Sequence, residues 1–117
     1  MTFIKAINLI KKKIKFKVLI VGRGILGIKL KNFIYNKNLQ KKVRIINWQK
    51  NPYKFIKASD LLILTSKFEG LPNILLEGIC LKKLIISSNC PTGPKEILNN
   101  GRGGFLFKVG DYKDLAN

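Results

Sequence analysis

The strongest constraint on the fold is the regular alternation of short apolar runs with segments of helical periodicity. Five short apolar runs predict buried strands at 16–21, 43–46, 61–65, 84–87 and 105–107. Helices are predicted at 2–13, 25–36, 52–56, 73–81 and 96–98, and from Asp111 onward. Because the connections are short, this order predicts an α/β fold in three αβα layers, with a parallel sheet covered by helices.

Length and composition favour one packed domain. The chain has 117 residues, of which 46% are hydrophobic, enough for a real core but short for two domains. No apolar run reaches the ~18 residues that span a bilayer. Residues 1–13 lack the order of a signal peptide, since lysines follow the apolar residues. We therefore expect a cytoplasmic location.

The formal net charge of +17 raises the possibility of a non-enzymatic basic module that binds nucleic acid or an anionic membrane. However, the cations are twenty Lys and only three Arg, and Arg is the better residue for reading bases and gripping phosphates. We expect no nucleic-acid partner. Peripheral contact with the anionic inner face of the membrane is compatible with the charge.

Metal and histidine chemistry are not expected. Cys80 and Cys90 do not have the spacing of a zinc site, and the chain contains no His to complete one. The absence of His also removes Ser-His and Cys-His catalytic arrangements. The cysteines are expected to be reduced and structural.

One candidate nucleotide motif follows the first predicted strand. Gly22, Gly24 and Gly27 form a G-x-G-x-x-G sequence between a strand and a helix, the setting of a dinucleotide-binding turn. An NAD site also needs an acidic residue after the second strand, whereas no Asp or Glu precedes Asp60. An NADP site using Arg44 or Lys50 remains an alternative. A tight turn that needs glycine for backbone reasons is the simpler interpretation.

A second candidate motif has two carboxylates eight positions apart. Glu69 and Glu77 flank the turn Gly70-Leu71-Pro72-Asn73, between a strand end and a predicted helix. A helix start offers free backbone N–H groups to an anion. Carboxylates beside it can hold hydroxyl groups next to a bound phosphate. This arrangement favours a nucleotide or phosphosugar ligand.

Residues 58–77 resemble the signature of GT-B glycosyltransferases of the large retaining family four (glycosyl transferases group 1), whose Glu-x7-Glu element matches Glu69 and Glu77. The resemblance continues through the loop and helix at 90–98 and the closing strand and helix at 100–116. Upstream, residues 3–10 and 18–24 match the helix and glycine turn that precede the signature. The resemblance implies a Rossmann-like fold like the C-terminal half of a GT-B enzyme.

The resemblance also implies roles for individual residues. Glu69 is expected to be catalytic, contacting the donor sugar's hydroxyls and steadying charge on the ring. Glu77 is expected to hold the ribose hydroxyls. The backbone of Gly70, Leu71, Pro72 and Asn73 is expected to cradle the diphosphate of a UDP- or GDP-sugar without a metal or other cofactor. The acceptor would be a glycan or a lipid-linked sugar that receives a hexose or N-acetylhexosamine.

The sequence departs from the family at several points. Gly78 stands where the family usually has alanine, Lys82 and Lys83 lie where a glycine-x-proline is usual, and Trp48 replaces a glycine near the base pocket. The chain matches only the donor domain, without its first strand and the cations that it carries. We therefore expect residues 1–117 to be a single, truncated nucleotide-sugar-binding domain. It is expected to be inactive alone, with a separate chain as one source of the N-terminal domain.

Overall fold

A computed structural model describes all residues, 1–117, as an α/β fold. The helices are α1 (Thr2–Ile10), α2 (Gly27–Asn36), α3 (Tyr53–Ala58), α4 (Asn73–Cys80) and α5 (Pro94–Ile97). The strands are β1 (Val18–Val21), β2 (Val43–Ile46), β3 (Leu61–Leu64), β4 (Leu84–Ser88) and β5 (Phe105–Phe107). Short 3-10 turns occupy Asn99–Gly101 and Asp114–Ala116. The predicted alternation and the α/β class are confirmed.

All strand pairs are parallel, but the strands form two sheets where the sequence predicted one. β1 pairs with β2, and β3, β4 and β5 form a second sheet in that order. No strand of the first sheet is hydrogen-bonded to a strand of the second.

The hydrophobic core is divided in the same way. One cluster, centred on Ile4, Leu39 and Val43, lies between α1, α2 and the first sheet. The other, centred on Leu75, Ile85 and Leu98, lies between α4, α5 and the second sheet. The two clusters share no residue.

Several element boundaries differ from the predictions. α1 ends at Ile10 rather than at residue 13, because the chain tightens into a turn in which the Lys13 N–H donates to the Ile10 carbonyl at 2.9 Å. α2 begins at Gly27 rather than at residue 25, because Ile25 is 98% exposed and has nothing to pack against. β1 begins at Val18, the first residue with a partner in β2. The helix predicted from Asp111 is only a 3-10 turn at Asp114–Ala116.

Gly78 has a packing role that accounts for one departure from the family. A Cβ at this position would lie 2.6 Å from Leu62 Cδ2 and 3.1 Å from Ile85 Cδ1. Both atoms are ends of flexible side chains, so an alanine at this position would require the Leu62 and Ile85 side chains to shift. Glycine lets α4 pack on β3 and β4 without that shift.

Candidate functional site

The loop after β3 holds the Glu69 side chain in a defined direction. Ser66 Oγ donates a hydrogen bond of 2.5 Å to Glu69 Oε1, and Glu69 is half-buried. The fully buried Ser88, at the end of β4, donates from its Oγ to the Ser66 carbonyl at 2.6 Å. The carboxylate is thus oriented by a chain of two serines that joins the ends of β3 and β4, leaving Oε2 for a ligand.

The loop after β4 also contacts the segment that carries Glu69. Thr92 Oγ1 donates to the Glu69 carbonyl at 2.6 Å. Thr92 has φ of 58°, a conformation that is costly for a β-branched residue, and its single hydroxyl proton is shared between this carbonyl and the Pro91 carbonyl. Gly93 follows with φ of 98° and lies against the ring of Pro72 and the carbonyl of Gly70. The two loops therefore form one rigid edge.

The turn Gly70-Leu71-Pro72-Asn73 presents fewer backbone donors than the sequence suggested. The Asn73 N–H donates to the Leu71 carbonyl at 2.9 Å, across Pro72, in a γ-turn. Pro72 has no N–H and is the N-cap of α4 rather than a first-turn residue. The N–H groups without an acceptor belong to Gly70, Leu71 and Ile74. Of the three, only Ile74 belongs to α4, and its N–H is a free donor of the helix start, where an anion can bind.

Glu77 lies in the second turn of α4, four residues after Asn73 and so on the same face of the helix. It is half-buried, and its carboxylate accepts no hydrogen bond from the rest of the chain. The helix start, the exposed Asn73 and Glu77 form one continuous strip. The strip offers donors to an anion and a carboxylate to hydroxyl groups one turn further along.

Three residues of this edge were not among the predicted site residues: Ser66, Ser88 and Thr92. The sequence placed the two serines at strand ends, where ligands of parallel sheets bind, and Thr92 in a loop. Their position at strand ends and in a loop was the only sign in the sequence that these residues could belong to the site. The pairing of Ser66 with Glu69 across three residues is a feature of the turn's shape, which the sequence did not reveal.

The glycine run after β1 does not pack as a dinucleotide-binding turn. The last glycine of such a turn allows close contact between helix and strand. A Cβ at Gly27 would meet no atom within 4 Å, and neither would one at Gly24. Arg23 instead lies over the Trp48 ring, 6.0 Å from its centroid, at the ends of β1 and β2. The glycines act here as a loose turn, which disfavours the nicotinamide alternative.

No helix is both long and apolar enough to cross a membrane.

Comparisons with known proteins agree with this geometry. An uncharacterized glycosyltransferase of Methanocaldococcus jannaschii is 45% identical over 82 residues, covering 70% of this chain and 20% of the relative. An N-acetylgalactosaminyltransferase of Campylobacter jejuni, named for action on a diphospho-undecaprenol-linked sugar, is 29% identical over 88% of this chain and 28% of its own length. The chain thus spans between a fifth and a third of these relatives.

Solved structures show the same fold. A TarM variant of Staphylococcus aureus, in complex with fondaparinux, α-GlcNAc-glycerol and UDP, superposes with a TM-score of 0.89 and 25% identity. The match covers 98% of this chain and 24% of TarM. The expected likeness to part of a GT-B glycosyltransferase is confirmed. The model of the family described as glycosyl transferases group 1 matches residues 1–117, and the chain belongs to that family of transferases.

Proposed function

We propose that the chain binds the nucleotide-sugar donor, UDP- or GDP-linked, of a retaining glycosyltransferase. The observation that carries the proposal is the oriented carboxylate of Glu69 beside three N–H groups without an acceptor, two in the turn before α4 and one in the first turn of α4. The diphosphate would accept hydrogen bonds from Gly70, Leu71 and Ile74, where the positive end of the helix dipole also stabilises the charge of the leaving nucleotide.

The two glutamates would then act at opposite ends of the donor. Glu77, one turn into α4, would accept hydrogen bonds from the ribose hydroxyls. Glu69, held by Ser66 and Thr92, would contact the sugar hydroxyls and stabilise positive charge on the ring during front-face transfer. Neither role requires a metal.

The acceptor class is proposed from the relatives. The Campylobacter protein is named for a lipid-linked acceptor and TarM was solved with UDP and a GlcNAc-glycerol. We therefore favour transfer of a hexose or N-acetylhexosamine to a glycan or lipid-linked sugar. A cytoplasmic position at the inner membrane face fits the charge of +17. Because one strip of side chains and N–H groups does not enclose a donor, we expect turnover to need a facing domain from additional polypeptide.

Calorimetry with UDP, a UDP-sugar and GDP tests the assignment. Glu77→Gln should weaken binding of UDP and the UDP-sugar alike, by ~10-fold or more, since a hydrogen bond to a charged group is worth ~1.5–3 kcal/mol. Glu69→Gln should weaken only the UDP-sugar. Asp60→Asn, an exposed carboxylate outside the strip, is the matched control and should change neither.

Two binding outcomes and one activity outcome would count against the proposal. Preferential binding of NADP would support the glycine-run alternative. Binding that collapses with salt and ignores both glutamate substitutions would support a non-enzymatic basic module. Sugar transfer by residues 1–117 alone, measured with a UDP-sugar and a lipid-linked acceptor, would contradict the expected dependence on a facing domain.

A further inference from the structure

Lysines are concentrated in the two segments that precede β1 and β2. Segments 11–17 and 37–42 hold thirteen of the 117 residues and eight of the twenty lysines. No Asp or Glu precedes Asp60, so neither segment contains a carboxylate. A general preference for lysine would spread these charges along the chain. The clustering therefore indicates a role for this part of the fold.

The structure joins the two segments into one surface. β1 and β2 pair in parallel, so the segments before them meet at the amino ends of the two strands. Lys11 Nζ donates a hydrogen bond of 2.7 Å to the Lys37 carbonyl. Lys42 Nζ lies over the Phe16 ring, 4.7 Å from its centroid. We call these two segments together the lysine surface.

Most charges of the lysine surface face solvent. Lys11 is the one lysine among them whose ammonium group donates a hydrogen bond within the protein. Like charges held this close repel one another, so contact with a surface of opposite charge is favoured. Six of the eight lysines are exposed, namely Lys12, Lys13, Lys15, Lys17, Lys37 and Lys41.

Exposed apolar and aromatic side chains accompany these charges. Ile14, between Lys13 and Lys15, is 54% exposed. Tyr35, in the last turn of α2, is 70% exposed, and its carbonyl accepts a hydrogen bond of 3.4 Å from Gln40 Nε2 of the lysine surface. Apolar side chains beside cations suit the headgroup region of an anionic membrane. Nucleic-acid phosphates would leave Ile14 without a partner, and the lysine surface has no Arg to grip them.

We propose that the lysine surface docks the protein on an anionic phospholipid membrane. The lysines would contact headgroup phosphates, and Ile14 would insert between the headgroups. The inference rests on the membrane position proposed above and assigns it to one surface; it does not depend on the donor or the reaction. The carboxyl ends of β1 and β2 lie at the other end of four-residue strands, ~13 Å away, so docking leaves Arg23 and Trp48 free for a nucleotide.

Co-sedimentation of the chain with lipid vesicles tests the proposal. Phosphatidylcholine vesicles with about a third phosphatidylglycerol should bind the chain at about 0.1 M salt and release it at about 0.5 M, and phosphatidylcholine alone should not bind it. Lys12→Gln, Lys13→Gln and Lys15→Gln combined should weaken binding ~100-fold, since each lysine near an anionic surface contributes about fivefold. None of these three ammonium groups has a partner in the protein, so the variant should fold.

A matched variant separates the lysine surface from the total charge. Lys54→Gln, Lys95→Gln and Lys108→Gln combined remove the same charge at exposed positions on other elements. This variant should weaken vesicle binding by less than about threefold, because those lysines lie outside the docked surface. Equal loss in the two variants would show attraction by net charge alone and overturn the proposal.

Ile14→Ser distinguishes a membrane from a nucleic acid. The substitution should weaken vesicle binding ~3–10-fold and leave binding of a short DNA duplex unchanged. No binding to the anionic vesicles, no effect of Ile14→Ser on them, or tighter binding to the duplex than to the vesicles would each overturn the proposal. Vesicle binding is measured without nucleotide, so its failure leaves the donor assignment standing, and failure of UDP to bind leaves the lysine surface standing.

Discussion

Gly93→Ala is the sharpest test of the rigid edge formed by the two loops. Two costs combine at this position. An L-residue at φ of 98° is strained by ~1–3 kcal/mol. A Cβ would also overlap the Pro72 ring and lie 3.1 Å from the Gly70 carbonyl, and neither group is a flexible side-chain end. Overpacking of this kind costs ~1–3 kcal/mol.

The chain contains a matched control for the first cost. Gly101 has φ of 94°, but a Cβ there would meet no atom within 4 Å. Gly101→Ala should therefore carry the strain without the overlap. Both substitutions gain the same ~0.4–1 kcal/mol from a less flexible unfolded chain. The difference between them isolates the contact of Gly93 with the turn.

We expect urea denaturation, followed by circular dichroism, to show Gly93→Ala ~1–3 kcal/mol less stable than Gly101→Ala. If the folded variant instead relieves the overlap by moving the turn, calorimetry should show weaker UDP binding for Gly93→Ala and not for Gly101→Ala. Equal stability and equal UDP binding of the two variants would refute the contact between the loops as the reason for glycine at position 93.

Three further outcomes are expected. Ser66→Ala frees the Glu69 carboxylate, so calorimetry should show UDP-sugar binding ~5–10-fold weaker with UDP little changed, whereas unchanged UDP-sugar binding would contradict the orienting role. Leu75→Ala, at a fully buried position, should lower the free energy of unfolding by ~2–5 kcal/mol in urea titrations. Leu76→Ala, at a neighbouring position that is 40% exposed, should lower it far less. The hydrogen bond from the Asp114 N–H lowers the pKa of Asp111 below its ordinary 3.8; desolvation opposes this effect and the Lys113 N–H adds to it. The ionised Asp111 carboxylate therefore stabilises the 3-10 turn above pH 3.8, and this stabilisation is lost as the pH falls through the lowered pKa. Carboxyl NMR should show this titration, and a pKa at or above 3.8 would contradict it.

Strand positions were the most predictable part of the fold. β2 and β5 match their predicted bounds, and β1, β3 and β4 differ by one or two residues. Local composition decides where a buried strand lies, because a short apolar run bounded by polar residues has few alternatives. The number of sheets was not predictable in this way. It depends on which strands find partners, and β1 pairs only with β2 while β3 pairs only with β4.

The candidate site shows the same limit on a smaller scale. Glu69, Glu77 and the turn between them were located by sequence, although their roles remain proposals. The sequence could not show that the Asn73 N–H is consumed by the Leu71 carbonyl, because that bond depends on the ψ of 82° at Pro72. The support of Glu69 by Ser66 likewise requires two side chains to converge in space.

The position of Trp48, whose ring lies against Arg23, has a practical consequence. Trp48 is the only tryptophan of the chain, is 58% exposed, and stands at the carboxyl end of β2. Its indole emission therefore arises from one known place on the edge where ligands of parallel sheets bind. A nucleotide base that settled against this ring would displace water from it, shift the emission to shorter wavelength and shield it from acrylamide. The protein thus carries an intrinsic fluorescent reporter for the edge at which we propose that the nucleotide binds.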